Sequence, residues 1–157
     1  MERREFLSSI AAMGLTANFK IKKENQFESK EKLKKIIETA DVPSEAGHIF
    51  SGKLLKRLAD EYIPNTILGT IGFNNGAMVR LSEASHMINR LRFVNNKLLA
   101  DIILLNTDHG KRLATLNKAE NVKFYLAGMC ESQKIGIYVP EDYKIITIFA
   151  GISPNLA

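Results

Sequence analysis

The chain has no tryptophan, a single cysteine, three histidines and four prolines among 157 residues. One cysteine, Cys130, excludes an internal disulfide and any zinc cluster built on cysteine. Three histidines leave too few nitrogen ligands for a metal site without carboxylates, so no metal and no cofactor is expected. No apolar run approaches the ~20 residues that a helix needs to cross a bilayer, and no membrane partner is expected. P-loop, G-x-G-x-x-G, H-E-x-x-H and EF-hand spacings are all missing. The charge balance is also thin, at a formal +5. It permits an acidic partner, but acidic residues interrupt the lysines, which argues against nucleic acid.

What is present is ordinary globular material. Hydrophobic residues make up 45% and charged residues 25%, enough for one packed domain with a short appendage. The amino terminus carries Arg3 and Arg4 before Phe6 and Leu7, a twin-arginine-like order followed by the apolar stretch Ile10 to Leu15. The run is short, Lys20, Lys22 and Lys23 follow it, and no cleavage site is evident. Phe6, Ile10 and Met13 fall at helical spacing, so an amphipathic helix is the reading adopted. Residues 29–39 are dense in lysine and glutamate, with an apolar stripe at Leu33, Ile36 and Ile37. With Glu28–Lys32 and Glu31–Lys35 at i,i+4, this stretch also reads as a helix. Pro43 and Gly47 mark a linker. Residues 1–46 are therefore expected to form a charged helical arm with its linker, and residues 47–157 the domain.

The domain pattern is mixed. Ser51 can cap a helix at 52–63 with Leu54, Leu55, Leu58 and Tyr62 inward. Residues 66–72 read as a strand leading to the loop Phe73-Asn74-Asn75-Gly76. Residues 87–93 alternate, with Met87, Asn89, Leu91 and Phe93 assigned to one side and His86, Ile88, Arg90 and Arg92 to the other. Asn95-Asn96 then turns the chain into the apolar run Leu98 to Leu105, making a hairpin. A helix at 111–118 and strands at 122–127 and 143–150 follow. This is an α+β chain: a small, mainly antiparallel sheet or barrel flanked by helices. Leu91, Phe93, Ile103, Leu105, Leu113, Ile146 and Ile148 are expected to share its core.

The order of these segments resembles a family. Glu61-Tyr62-Ile63 before the Leu68-Gly69 strand, the hairpin from Ser85-His86 through Asn95-Asn96 to Ala100, and the Thr107-Asp108-His109-Gly110 turn into Lys111-Arg112-Leu113 fall at nearly its spacing. So do Gly128 and the late strand Tyr143 to Phe149. Together, residues 48–157 look like the prohead (capsid-maturation) proteases of tailed bacteriophages, of the myovirus prohead core protease type, distantly like herpesvirus assemblins. The resemblance implies a prohead-protease-like fold. It implies a serine endopeptidase whose histidine base lies in a Gly-Glu-x-x-His-Pro strand and whose nucleophile lies in a Ser-Ser-Arg-Gly-like segment.

Here those positions differ. The first segment reads Gly69-Thr70-Ile71-Gly72-Phe73-Asn74, with Phe73 for the histidine. The second reads Tyr125-Leu126-Ala127-Gly128, with Tyr125 and Leu126 for the serines. A serine hydroxyl is a poor nucleophile until a neighbouring base takes its proton. Phenylalanine accepts none and leucine offers none. Fallback candidates are Cys130 or Ser132 as nucleophile with His86 or His109 as base. For each there is a plainer role: a packed thiol for Cys130, a sheet hydrogen bond for His86, and a helix-start contact for His109.

Three functions are weighed. The first is a catalytically inactive protein of this fold, a structural or scaffolding component of a phage head. It would partner capsid, portal or scaffold proteins, self-associate, and reside in the prohead or virion assembled in the host cytoplasm. In this reading the arm docks through Phe6/Ile10/Met13 and Leu33/Ile36/Ile37. The second is an active maturation protease with a displaced Cys130/Ser132 centre, cutting scaffold and capsid proteins. The third is an exported bacterial protein addressed by Arg3 and Arg4.

Overall fold

A computed structural model describes residues 28–72, 79–119, 122–133 and 136–152. The expected amino-terminal helix, the 73–76 loop and Phe73 lie outside the described residues. The elements in order are β1 (Glu28–Thr39), α1 (Gly52–Glu61), β2 (Ile67–Gly69), β3 (His86–Val94), β4 (Lys97–Leu105), α2 (Asp108–Ala119), β5 (Val122–Met129) and β6 (Lys144–Ile152). The fold is α+β. One antiparallel sheet has the strand order β1-β4-β3-β2, and β5 pairs with β6 in a second.

The sheets meet along two seams. On one side the chain leaving β2 runs beside β6, with an Ile71–Ala150 bridge, Ala150 N–H donating to Thr70 O (3.0 Å) and Gly72 N–H to Ala150 O (2.7 Å). On the other, β1 packs near β5, and the Lys35 ammonium donates to Val122 O at 3.2 Å. The six strands thus curve round one core, which α1 and α2 supply with Leu54, Leu55, Leu58 and Leu113.

Local chemistry explains most of the elements. Ser51 caps α1, its hydroxyl accepting from Leu54 N–H at 3.1 Å. Asn65 ends the turn after α1 with φ 64°. The hairpin turn is Asn95-Asn96 with φ of 53° and 62°, the left-handed pair that suits a tight two-residue connection. Thr107 caps α2 through its hydroxyl to Gly110 N–H at 3.0 Å. Gly110 is needed there because a Cβ would strike the Leu105 carbonyl.

Three sequence expectations are corrected. Residues 28–39 form an edge strand, not a helix. β1 pairs antiparallel with β4 from Glu28–Leu105 to Thr39–Lys97, and Ile37 is buried. Helix propensity is a weak prior that tertiary pairing overrides. β4 is almost wholly apolar and needs a partner on that side, and a lysine-rich strand makes a soluble edge.

The second correction concerns β3, whose alternation breaks. Ile88 lies opposite Ile102 but Arg90 opposite Asp101, so a bulge at Asn89 changes which residues face inward. His86 and Ile88 point into the core before it, Leu91 and Phe93 after it.

The third concerns the core set. Leu91, Leu113 and Ile148 belong to it and Phe93 packs against it. Ile103 and Leu105 are buried outside that cluster, because Leu98, Ala100, Ile102 and Leu104 occupy the inner face of β4. Ile146 is half-buried and lines an open cleft beside α1.

Candidate functional site

The family's nucleophile segment falls on β5, where register places Tyr125 opposite Phe149 and Leu126 opposite Ile148. Strand alternation sends them to opposite faces. Leu126 packs against the core. Tyr125 turns outward, its ring stacked on Phe149 at 5.4 Å and 28°. Its hydroxyl donates to the Glu45 carboxylate at 3.4 Å, and Lys123 reaches the same carboxylate at 3.3 Å. The segment carrying the family's base ends beside this ladder. Gly72 bonds Ala150, and Ala150 pairs with Phe124, so one strand separates the two segments.

His86 is wholly buried at the junction of the sheets. Nε2 lies 2.7 Å from Ile148 O and Nδ1 lies 2.8 Å from Ser85 Oγ. A carbonyl only accepts, so Nε2 carries the ring proton and Nδ1 accepts from the serine hydroxyl. The ring meets Phe124 edge-on at 5.0 Å and 84°. Burial brings its pKa down from 6.5 to about 4, with the Ile148 bond opposing, so the imidazole is neutral at physiological pH. Both nitrogens are committed, and neither of these bonds reaches Cys130 or Ser132. Gly69 leaves room for the ring, since a Cβ there would meet Nε2 and Ile148 O.

The other fallback residues stand in different surroundings. Ser132 is exposed, and its hydroxyl (3.0 Å) and N–H (2.9 Å) both donate to Asp142 Oδ2, which also accepts from Glu131 N–H at 3.1 Å. The Ser132 N–H, with these further donors, holds the Asp142 carboxyl below its ordinary value. Ser132 thus clips a turn. Cys130 is half-buried against the core. It lies near Tyr143, whose phenol burial pushes up, with the charges of Glu38 and Cys130 adding to the effect. His109 is partly exposed in the first turn of α2, where Thr107 rather than His109 caps the helix. Among the described residues, no three His, Cys, Asp or Glu side chains gather as metal ligands.

Sequence reading missed three partners: Ser85, Asp142 and Glu38. Ser85 was within reach, because it adjoins His86. Asp142 and Glu38 come together with their neighbours only through the fold. The carboxyl of Glu38 is pushed up to about 7 by burial, opposed by a backbone hydrogen bond at Thr39.

The described strands thus form two antiparallel sheets curved about one core, with β5 and the end of β2 on either side of β6. No protein-family model matches the chain, and no curated protein matches it by sequence. Among solved structures it resembles the bacteriophage T4 capsid assembly protease, gp21, with a TM-score of 0.62 at 19% identity. The match covers 76% of this chain and 80% of that one. That likeness establishes the fold.

Proposed function

We propose that this protein is a catalytically inactive member of the prohead-protease fold, serving as a structural or scaffolding component of a phage head. One observation carries the reading: β5 presents Tyr125 and Leu126 where the resemblance needs a serine, with Tyr125 tied to Glu45 and Leu126 facing the core. The remaining imidazole, hydroxyl and thiol candidates support it. His86 is bonded at both nitrogens, Ser132 is bonded to Asp142, and Cys130 packs on the core. The hydroxyl bonded to an imidazole, that of Ser85, is buried together with His86, away from the solvent side from which a peptide substrate would approach. Its partners are capsid, portal or scaffold proteins, met in the prohead within the host cytoplasm.

The test incubates the purified full chain with capsid and scaffold proteins of the same phage and searches for cut products by mass spectrometry. No specific cleavage is expected, and Cys130→Ala and Ser132→Ala should behave as the parent does. Specific cleavage abolished by either substitution overturns the reading and establishes a displaced centre.

A further inference from the structure

Pleating sends alternate side chains of a strand to one side. On β4, Leu98 and Ala100 enter the core, so Leu99 and Asp101 face away from it. Register fixes their neighbours on that outer face. Asp101 lies between Lys34 of β1 and Arg90 of β3, and Leu99 between Ile36 and Arg92. The next outward position on β1 is Lys32, and Val94 lies opposite Lys97 at the hairpin. The face is therefore a chequer of cations and aliphatic side chains spread over three adjacent strands.

Acid is scarce there. Asp101 is the one carboxylate among these outward side chains, and Arg92 Nη2 already donates to it at 2.8 Å. Arg92 Nε–H, shielded from solvent, has no acceptor. Glu38 cannot serve, because a bulge sets it opposite the inward Leu98 and beside Tyr143. Lys32, Lys34, Arg90 and Lys97 are exposed, and among the described residues none of them has a hydrogen-bond or ion-pair partner through its side chain. Ile36 is 54% exposed and Val94 44% in the full chain. Edge protection explains lysines on β1. It does not explain arginines on β3, which lies between two strands, or the exposed isoleucine and valine beside them.

We propose that this face binds an acidic polypeptide segment that also carries aliphatic side chains. Its carboxylates meet Lys32, Lys34 and Arg90, and its aliphatic groups cover Ile36, Leu99 and Val94. Burial of the exposed apolar area drives association, while charge complementarity selects the partner and sets its orientation. Nucleic acid fits less well. None of the outward residues named is aromatic, so bases find no stacking platform. The proposal concerns binding alone and stands whether or not the chain cleaves peptides.

The probe is a labelled peptide of about twelve residues that repeats Glu-Glu-Leu, long enough when extended to cross the face. The full chain should bind it, with affinity falling as salt rises. Lys34→Glu with Arg90→Glu should weaken binding about tenfold or more at unchanged circular dichroism, and Ile36→Ser should weaken it too. Reversing two exposed cations of α2, Lys111→Glu with Lys118→Glu, changes the net charge equally and should leave the affinity within about twofold. No binding, or an equal loss in both double variants, overturns the proposal. A single-stranded oligonucleotide bound as tightly as the peptide, and lost in the Lys34/Arg90 variant, overturns it in favour of a phosphate-binding face. Carbodiimide coupling of the bound peptide to the parent needs no variant. Mass spectrometry should find the new amides at Lys32, Lys34 or Lys97, and amides confined to other lysines defeat the proposal.

Discussion

The Nε2–H of His86 donates to the carbonyl of Ile148 across 2.7 Å, and through that bond β3 of the larger sheet holds β6 of the smaller one. The bond spans the gap behind Gly69, so three strands meet at one ring. Charging this ring strips a buried site of its only acceptor role, toward Ser85, and places an unpaired cation among apolar neighbours.

The first prediction concerns pH. The folded His86 titrates near 4 against an ordinary 6.5, so its contribution is complete above 6.5 and lost as pH falls toward 4, about 3 kcal/mol in all. Glu38 runs the other way. Its folded value near 7 against an ordinary 4.5 gives a contribution complete below 4.5 and lost as pH rises to 7. The two slopes oppose each other in one window. Denaturant midpoints between pH 4 and 7 should be flatter for the parent than for either variant. His86→Gln should lose stability as pH rises, and Glu38→Gln should gain it. Parallel slopes in both variants would show that neither group is shifted as described.

The second prediction tests the space behind Gly69. Gly69→Ala should cost about 3 kcal/mol, through overpacking and the loss of the His86–Ile148 bond. Gly47→Ala would meet nothing nearby, although its φ of 87° strains any side chain. Urea unfolding of both variants separates steric cost at the junction from backbone cost in the linker.

Much of this arrangement was legible in the chain. Ser51, Asn95-Asn96 and the apolar runs gave α1, the hairpin and β5–β6, because caps and turns act locally. Two devices were not legible. The bulge at Asn89 leaves no mark in composition, yet it moves Leu91 and Phe93 to the face that His86 and Ile88 held before it. The charge of Lys32, Lys34 and Lys35 describes a solvated edge as well as a solvated helix, and only the unmet edge of β4 decides between them. For the candidate site, the differences at Phe73, Tyr125 and Leu126 were readable, but the His86–Ile148 and Ser132–Asp142 bonds join distant segments that periodicity does not connect.

A third prediction follows from β1. Removing residues 1–46 should destabilise the domain severely, because it exposes the edge of β4 and removes Ile37 and Ala40 from the core. Ile37→Ala alone should cost about 2–5 kcal/mol. A truncated chain that melts like the parent by circular dichroism would make the strand dispensable, as a separate arm ending at residue 46 would require.

The fourth prediction tests the bulge. Leu91→Ala and Ile88→Ala should each cost about 2–5 kcal/mol, since both lie inward at 5% and 0% exposure. Asn89→Ala between them should change little. Strict alternation would make one of the two leucine-sized losses small, so the pair of chemical midpoints distinguishes the registers.

The smaller sheet is one continuous stretch of chain, from Val122 to Ile152. Described hydrogen bonds anchor it to Lys35, Glu45, Ile49, Arg57, Leu68, Thr70, Gly72 and His86, all of which precede Arg90. A ribbon held by earlier parts of the chain can close only after those parts exist. In chain order the β5–β6 pair is thus the last piece to be placed, the keystone of a frame already laid down by the segments before it.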